Sequence, residues 1–187
     1  MGIKVVTPPA VEPVTLAEAR LHLRIDADQT DEDDLIQAFI SAAREEAEHL
    51  TGRAIPEQTI ELALDAFPEG AIELPRGAIV SVESVTYVDE AGATQTVDSA
   101  DYALDDSQLV AWLLPAYNFD WPATREQANA VRVRYVAGYA SCPALIKSWI
   151  LLRVGTLYAH READAERPPA PSDFAVRLLD RFAIPSL

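Results

Sequence analysis

The sequence has 187 residues with 30 acidic and 15 basic side chains, which give a formal net charge of −15. The negative net charge argues against nucleic-acid binding by phosphate neutralisation, because such binding requires a basic surface. The single cysteine, Cys142, excludes an intramolecular disulfide, and no apolar run reaches the roughly 18 residues of a membrane-spanning helix. We therefore expect a protein made in the cytoplasm, with no signal peptide and no membrane segment.

The first predicted elements are an extended segment and a short helix. Three prolines in residues 1–14 predict an extended chain that lacks regular hydrogen bonding. Thr15 and Glu18 then have the spacing of a capping box, in which each side chain satisfies a backbone N–H at a helix start. The first helix should therefore begin at Leu16, and the alternation of its last apolar residues predicts an end near Arg24.

A long amphipathic helix should follow an acidic turn. Thr30 precedes four acidic residues, 31–34, whose carboxylates favour the positive end of a helix dipole, so we expect the helix to begin here and to end at Gly52. Its apolar side chains recur at steps of three and four residues and form one stripe. The stripe consists of Leu35, Ile36, Phe39, Ile40, Ala43, Ala47 and Leu50. The residues largely outside it are Gln37, Arg44, Glu45 and Glu48.

After this helix the sequence changes to the two-residue period of β-strands. An antiparallel module should occupy residues 56–139, and a turn that contains glycine should join its third and fourth strands. The strand segments are 58–67, 71–75, 79–89, 94–97, 101–106, 109–115 and 130–139. The apolar phase slips at Glu83 and Ser84, which predicts a bulge or bend. In the last strand, Arg132 and Arg134 should face away from the apolar residues.

The chain returns to helix after the β module. Pro143 suits the first turn of a third helix in residues 143–163, whose apolar residues cover more than one face, so it should be buried on most sides against the second helix. A proline-rich linker follows, and Ser172 can cap a final short helix. The apolar stripe of this helix, called here the C-terminal stripe, consists of Phe174, Leu178, Leu179 and Phe182. A helix of about ten residues is marginal in water by itself, so the stripe needs a surface on which to dock.

Together these elements predict an α+β fold. A helical bundle, formed by the two N-terminal helices and the later long helix, carries an inserted antiparallel β module and a short C-terminal helix. We divide the chain into a main domain, residues 1–163, and a linker with a C-terminal docking helix, residues 164–187. In the main domain, helices occupy residues 15–53 and 143–163, and the β insertion occupies residues 56–139.

The sequence offers no recognisable catalytic centre. His22, His49 and His160 lie far apart without metal-ligand spacing, and no histidine lies near Cys142 in sequence. Motifs of P-loops, dinucleotide-binding folds and nucleophile elbows are absent. The acidic run that begins at Asp26 fails the EF-hand pattern, because its sixth and twelfth positions are not glycine and glutamate. We therefore expect no catalytic residue, no metal site and no cofactor.

An aromatic loop leaves another function open. Trp112, Tyr117, Phe119 and Trp121 surround a segment rich in turn formers, and they could form a sugar platform or a protein interface instead of packing in the core. The alternative function is therefore a β-rich binding or receptor-recognition module. An enzyme whose site is assembled from scattered carboxylates is a third class.

Four stretches, in their order along the chain, carry a family resemblance. They are "VTLAEARLHLRID", "AAREEAEHLTGRAI", "LDAFPEGAIELPRGAIVSVESVTYVDEAG" and "VRVRYVAGYASCPALIKSWILLRVGTLYAHRE". Together with the proline-rich exit they resemble the head-tail connector proteins of tailed bacteriophages, also called adaptor or head-completion proteins. Gene transfer agents, which are phage-derived particles, use similar proteins.

The resemblance implies a structural virion subunit with no enzymatic activity, made in the bacterial cytoplasm and located at the head-tail junction of a virion or virus-like particle. About a dozen copies would form a ring on the portal protein, extend the DNA channel and offer a platform for a head-closure (stopper) or tail protein. DNA would pass without specific binding, because acidic groups that face the channel repel it. The candidate interface with the portal is the C-terminal stripe.

Overall fold

The computed structural model describes residues 2–26, 28–160 and 173–184, and the side chains of residues 173–176 lie outside that description. Helices and antiparallel sheets are both present, which confirms the predicted α+β class. The chain contacts define two compact units, and the chain passes between them three times. Unit 1 contains residues 1–10 and 57–139, and unit 2 contains residues 11–56 and 140–187.

The helices lie in unit 2. They are α1 (Leu16–Leu23), α2 (Asp33–Thr51), α3 (Ala144–Ala159) and α4 (Asp173–Asp180). α2 packs against the other three helices, and α3 also contacts α1 and α4. In the part of the chain that the structure describes, none of these helices has the length and apolar character needed to cross a membrane.

The start of α1 confirms the predicted capping box. The Thr15 Oγ1 accepts a hydrogen bond from the Glu18 N–H at 3.2 Å, and the Glu18 carboxylate accepts one from the Thr15 N–H at 2.9 Å. Glu18 also accepts a hydrogen bond from the Lys147 ammonium of α3. This bond, followed by the one from Thr15, lowers the pKa of Glu18 to about 2, so the carboxylate stays charged and joins α1 to α3.

The predicted start of α2 at Thr30 is wrong. The helix begins at Asp33, because residues 30–33 form a turn in which the Asp33 N–H donates to the Thr30 carbonyl at 3.2 Å. Two of the four acids are engaged in tertiary contacts instead. Glu32 accepts a hydrogen bond from the Tyr158 hydroxyl, and Asp33 pairs with Arg20. The predicted end is confirmed, since Gly52 caps the helix with a φ of 68°.

The apolar stripe of α2 is buried at its centre and exposed at its ends. Its fully buried members are Ile36, Ile40, Ala43 and Ala47. Leu35 and Leu50 are exposed. Arg44 and Glu48, which the sequence places largely outside the apolar stripe, are nevertheless buried in unit 2.

Arg44 and Glu48 belong to a buried polar network. The Arg44 guanidinium donates to Glu12 and to Glu48, each at 3.0 Å. Glu12 also accepts from the Ser41 hydroxyl at 2.8 Å, and Glu48 accepts from the Ile55 N–H at 3.0 Å. The network therefore ties α2 to the chain before α1 and to the chain after α2, which are two of the places where the chain crosses between units.

The strands lie in unit 1 and form two antiparallel sheets. In chain order they are β1 (Gly2–Thr7), β2 (Gln58–Leu64), β3 (Ile72–Leu74), β4 (Ile79–Val88), β5 (Thr94–Thr96), β6 (Tyr102–Asp105), β7 (Ala111–Pro115) and β8 (Val131–Ala137), with a 3₁₀ turn at Ser99–Asp101 before β6. The five-stranded sheet has the order β1-β2-β8-β4-β5, and the three-stranded sheet has the order β3-β7-β6.

The N-terminal segment differs from the prediction that it lacks regular hydrogen bonds. It is extended, but it has regular hydrogen bonds, because β1 pairs with β2 and places Ile3 opposite Leu62 and Val5 opposite Ile60. The prolines that motivated the prediction all follow the strand and interrupt none of its bonds. Residues 2–7 therefore extend the β module that the sequence placed in residues 56–139.

The other strand predictions are largely confirmed. The register of β4 shifts between Val82 and Ser84, where the sequence predicted a bulge. In β8, Val131, Val133 and Tyr135 are buried and the two arginines are exposed. The Tyr135 hydroxyl donates to the Pro75 carbonyl at 2.9 Å, directly after β3, and so connects the two sheets of unit 1.

α3 begins directly after Pro143, close to its predicted start. Its packing against α2 is also confirmed. Its buried residues are Ile146, Trp149, Ile150 and Val154. Leu145 and Leu152 are exposed, so burial covers less of the helix than the sequence predicted.

The buried network predicts a strong effect of Arg44→Met. Loss of the guanidinium leaves the Glu12 and Glu48 carboxylates without their shared cation, and removal of one partner from a buried ion pair typically costs about 3 kcal/mol or more. We expect this decrease in the free energy of unfolding, measured by urea unfolding with helical circular dichroism as the signal.

Arg153→Met is the matched control. Arg153 pairs with Glu46 at 2.6 Å, but both side chains are about one-third exposed, so its loss should cost less than about 1 kcal/mol. Equal and small effects of the two variants would contradict the structural role of the Arg44 network.

Candidate assembly surfaces

The side chains most capable of catalysis or metal binding are not brought together. His22 lies on α1, His49 on α2 and His160 at the end of α3, and each is exposed. Among the described residues, no group of three or more histidine, cysteine, aspartate or glutamate side chains has the geometry to hold a metal ion. Burial raises the pKa of the Cys142 thiol to about 11, so this thiol stays protonated and is a poor nucleophile.

The aromatic loop packs against its own unit. The Phe67 and Trp121 rings stack with centroids 4.9 Å apart, and the Phe119 and Trp121 rings are nearly perpendicular with centroids 6.0 Å apart. The Trp121 indole N–H also donates to the Gly70 carbonyl at 2.8 Å. The stack with Phe67 covers one face of the Trp121 ring. Tyr117 differs, because it is 95% exposed.

The described side chains of the C-terminal stripe differ in burial. Leu179 is buried, and Leu178 and Phe182 are half-buried. The side chain of Phe174 lies outside the described residues. α4 packs on α2 and α3 of its own chain, so Leu179 belongs to the core of unit 2.

One side-chain and one backbone hydrogen bond hold the segment after α4 against the end of α2. The Arg53 guanidinium donates to the Phe182 carbonyl at 2.6 Å, and the Ile184 N–H donates to the Thr51 carbonyl at 2.9 Å. The last residues of α2 therefore position the C-terminal stripe. The role of the stripe in binding a partner stays a prediction.

A cluster of cations lies on the outer face of the five-stranded sheet. Arg134 and Arg132 donate to the two carboxylate oxygens of Glu61 at 2.9 and 3.1 Å. Lys4 of β1 lies opposite Glu61 in the register, and therefore on the same face. The hydrogen bond from Arg134, with help from the charge of Arg132, lowers the pKa of Glu61. Two arginines bind one carboxylate and Lys4 lies opposite it on the same face, and we call Lys4, Arg132 and Arg134 the basic cluster.

β1 forms one edge of the same sheet. All six of its residues are exposed, and in the described part of the chain only β2 pairs with it. Ile3 and Val5 are 44% and 45% exposed. This surface combines a free backbone edge, exposed apolar side chains and the basic cluster.

Sequence reasoning found only part of this surface. It placed Arg132 and Arg134 on one face of a strand, because alternation is visible locally. It missed Lys4 and the edge, because the pairing of residue 4 with residue 61 depends on tertiary contacts that no local pattern records.

Comparisons with known proteins identify a family and several similar structures. The model of the family described as "Phage gp6-like head-tail connector protein" matches residues 13–109, just over half of the chain. A search among curated proteins finds no match.

Solved structures match the whole chain. A chain in the neck of an empty gene transfer agent (GTA) particle, computed with C6 symmetry, has 25% identity and a TM-score of 0.81. A chain in the virion of a native GTA particle has 25% identity and a TM-score of 0.82. Both matches cover 100% of this chain and 97% of the other.

A chain in the neck of a native GTA particle, computed with C12 symmetry, shares the fold at 24% identity, with a TM-score of 0.77 over 100% of this chain and 97% of the other. The similarity thus extends over both units, and the family match covers α1, α2 and strands β2 to β6. The chain belongs to the phage gp6-like head-tail connector protein family.

Proposed function

We propose that this protein is a structural subunit of a ring at the head-tail junction of a phage or gene transfer agent particle. The observation that carries the proposal is the match of all 187 residues, helical and β units together, to a chain of a GTA neck at 25% identity. That neck was computed with sixfold symmetry. A subunit that lies off a sixfold axis occurs in multiples of six, which is compatible with a ring of about a dozen copies.

The ring would attach to the portal protein and offer its other side to a head-closure or tail protein. We assign the portal contact to the C-terminal stripe, in which the described Leu178 and Phe182 are half-buried. Leu179 instead anchors α4 to unit 2, since it is buried there. Residues 164–187 would then act as a linker and a docking helix that is already packed on its own subunit.

Charge accounts for how DNA could pass through such a ring. Each copy carries a net charge of −15, so carboxylates that face the channel would repel the phosphate backbone. DNA would therefore cross the ring without specific binding. No chemical step is needed for this function, and we propose that the protein is not an enzyme.

Leu179→Ala and Leu178→Ala form a matched pair that tests the two roles within α4. Truncation of the buried Leu179 should lower the free energy of unfolding by about 2–3 kcal/mol, because it leaves a cavity. Truncation of the half-buried Leu178 should cost less than about 1 kcal/mol but weaken attachment to portal-bearing heads. Urea unfolding and co-sedimentation with heads measure the two effects. Normal attachment of the Leu178 variant would remove the stripe as the portal contact.

Removal of the gene from cells that make the particle tests the function itself. Heads should still fill with DNA, but they should not join to tails, since the subunit between them is missing. Electron microscopy of the lysate counts joined and separate heads, and expression of the protein from a plasmid should restore joining. A normal proportion of joined particles without the protein would contradict the proposed function.

A further inference from the structure

We propose that the exposed edge of β1, together with the basic cluster beside it, is the surface through which one copy of this chain contacts the next copy in the ring. The inference rests on the proposed function, because a ring gives every copy a neighbour on each side. It names the surface and the partner, and three features of unit 1 support it.

The first feature is the backbone. β1 has six residues, and only β2 pairs with it among the described strands, so one row of its N–H and C=O groups faces solvent. Proteins usually protect such edges with prolines, charged side chains, bulges or very short strands. β1 contains no proline, and its protection is limited to Lys4 and an irregular register between Val5 and Thr7. The opposite edge of the sheet, β5, has only three residues.

The second feature is the apolar face of the sheet. Ile60 and Leu62 of β2 are fully buried, and their partners on β1 are Val5 and Ile3. Cross-strand partners share a face, so the buried face continues into β1. There its side chains are almost half exposed. The apolar face of the five-stranded sheet therefore extends to β1, one strand beyond the part that is buried within unit 1.

The third feature is charge. Copies with a net charge of −15 repel one another, and they meet most easily where a local positive surface faces the acidic surface of the neighbour. The outer face of the five-stranded sheet provides that surface. Its register-paired residues include Lys4, Arg132 and Arg134, and Glu61 is the one acid among them. A second copy of this acidic chain is thus an electrostatically complementary partner.

These features favour protein over DNA as the partner. Phosphates would be attracted to the cations, but a DNA backbone would leave Ile3 and Val5 exposed and the strand edge unpaired. A polypeptide can satisfy all three features at once, because it supplies hydrogen bonds, apolar cover and carboxylates.

Ring closure also limits the geometry. Pairing of β1 with β1 of another copy would be isologous and would give a closed dimer. A ring requires a heterologous contact, in which β1 of one copy meets a different surface of the next. The contact should therefore join residues 2–7 to a segment outside β1.

Photocrosslinking in assembled particles tests this contact. Val5 is replaced by p-benzoylphenylalanine in the full chain, and the particles are purified, irradiated and analysed by denaturing electrophoresis and peptide mass spectrometry. The control places the same residue at Leu21, which is 80% exposed but lies on α1 and not on a strand edge. We expect a product of two copies of this chain from position 5, linked to a segment outside β1, and much less of it from position 21.

Other products would overturn the inference. A link to DNA or to a different protein would assign the edge to that partner, a link between two β1 strands would show an isologous contact, and no product would show that the edge has no neighbour. Absence of the wild-type chain from purified particles would instead refute the proposed function, and the inference would fail with it.

A second pair of variants covers the case in which the bulky residue disturbs unit 1. A second lysine on β1, on its apolar face, would put a charge where the proposed contact needs apolar cover, so Val5→Lys should reduce incorporation into particles by about tenfold or more. Leu21→Lys changes an exposed apolar residue of α1 and should be incorporated normally. Equal incorporation of the two variants, each folded by circular dichroism, would overturn the inference.

Discussion

The fold of unit 2 depends on one buried cation. Arg44 lies on the core-facing side of α2 and donates to carboxylates from the segment before α1 and from its own helix. Glu48, its helical partner, also accepts from the backbone N–H of Ile55, where the chain leaves the helices. A buried guanidinium is costly unless all its partners are in place, so the network requires this chain path. This chain path also positions α3 and the end of α2. α4 packs against both.

Cations are scarce in this acidic chain, and the structure uses them at junctions. In unit 2, Arg20, Lys147 and Arg153 each pair with an acid of another helix. In unit 1, Arg132 and Arg134 share the carboxylate of Glu61, and Lys4 lies opposite it on the same sheet face. If that face meets a neighbouring copy, the basic cluster is at the contact between subunits, while the protein as a whole stays strongly acidic. Such a distribution is suitable for a ring through which DNA passes without binding.

Local patterns in the sequence predicted most of the elements, because each depends on neighbouring residues. The capping box at Thr15, the αL stop at Gly52 and the bulge in β4 are signals of this kind. The errors occurred where tertiary contacts decide. Glu32 and Asp33 contact other helices, and α2 begins at Asp33, the third residue of the acidic run.

The candidate surfaces were harder to predict for the same reason. Arg44 and Glu48 look like a solvent-exposed pair at a four-residue spacing, and only the fold shows that Glu12 and Ile55 enclose them. The apolar stripe of α4 was visible in sequence, but its division into a buried Leu179 and a half-buried Leu178 depends on how the helix packs. The edge of β1 was invisible, because it results from pairing across more than fifty residues.

The most direct test of the account is the position of this chain in a purified particle, determined by electron cryomicroscopy of the neck. The account predicts density for both units in a ring around the particle axis, between the portal and the next tail-side component, in a number of copies that is a multiple of six. Density for this chain elsewhere in the particle, or a neck whose ring is built from a different protein, would contradict it.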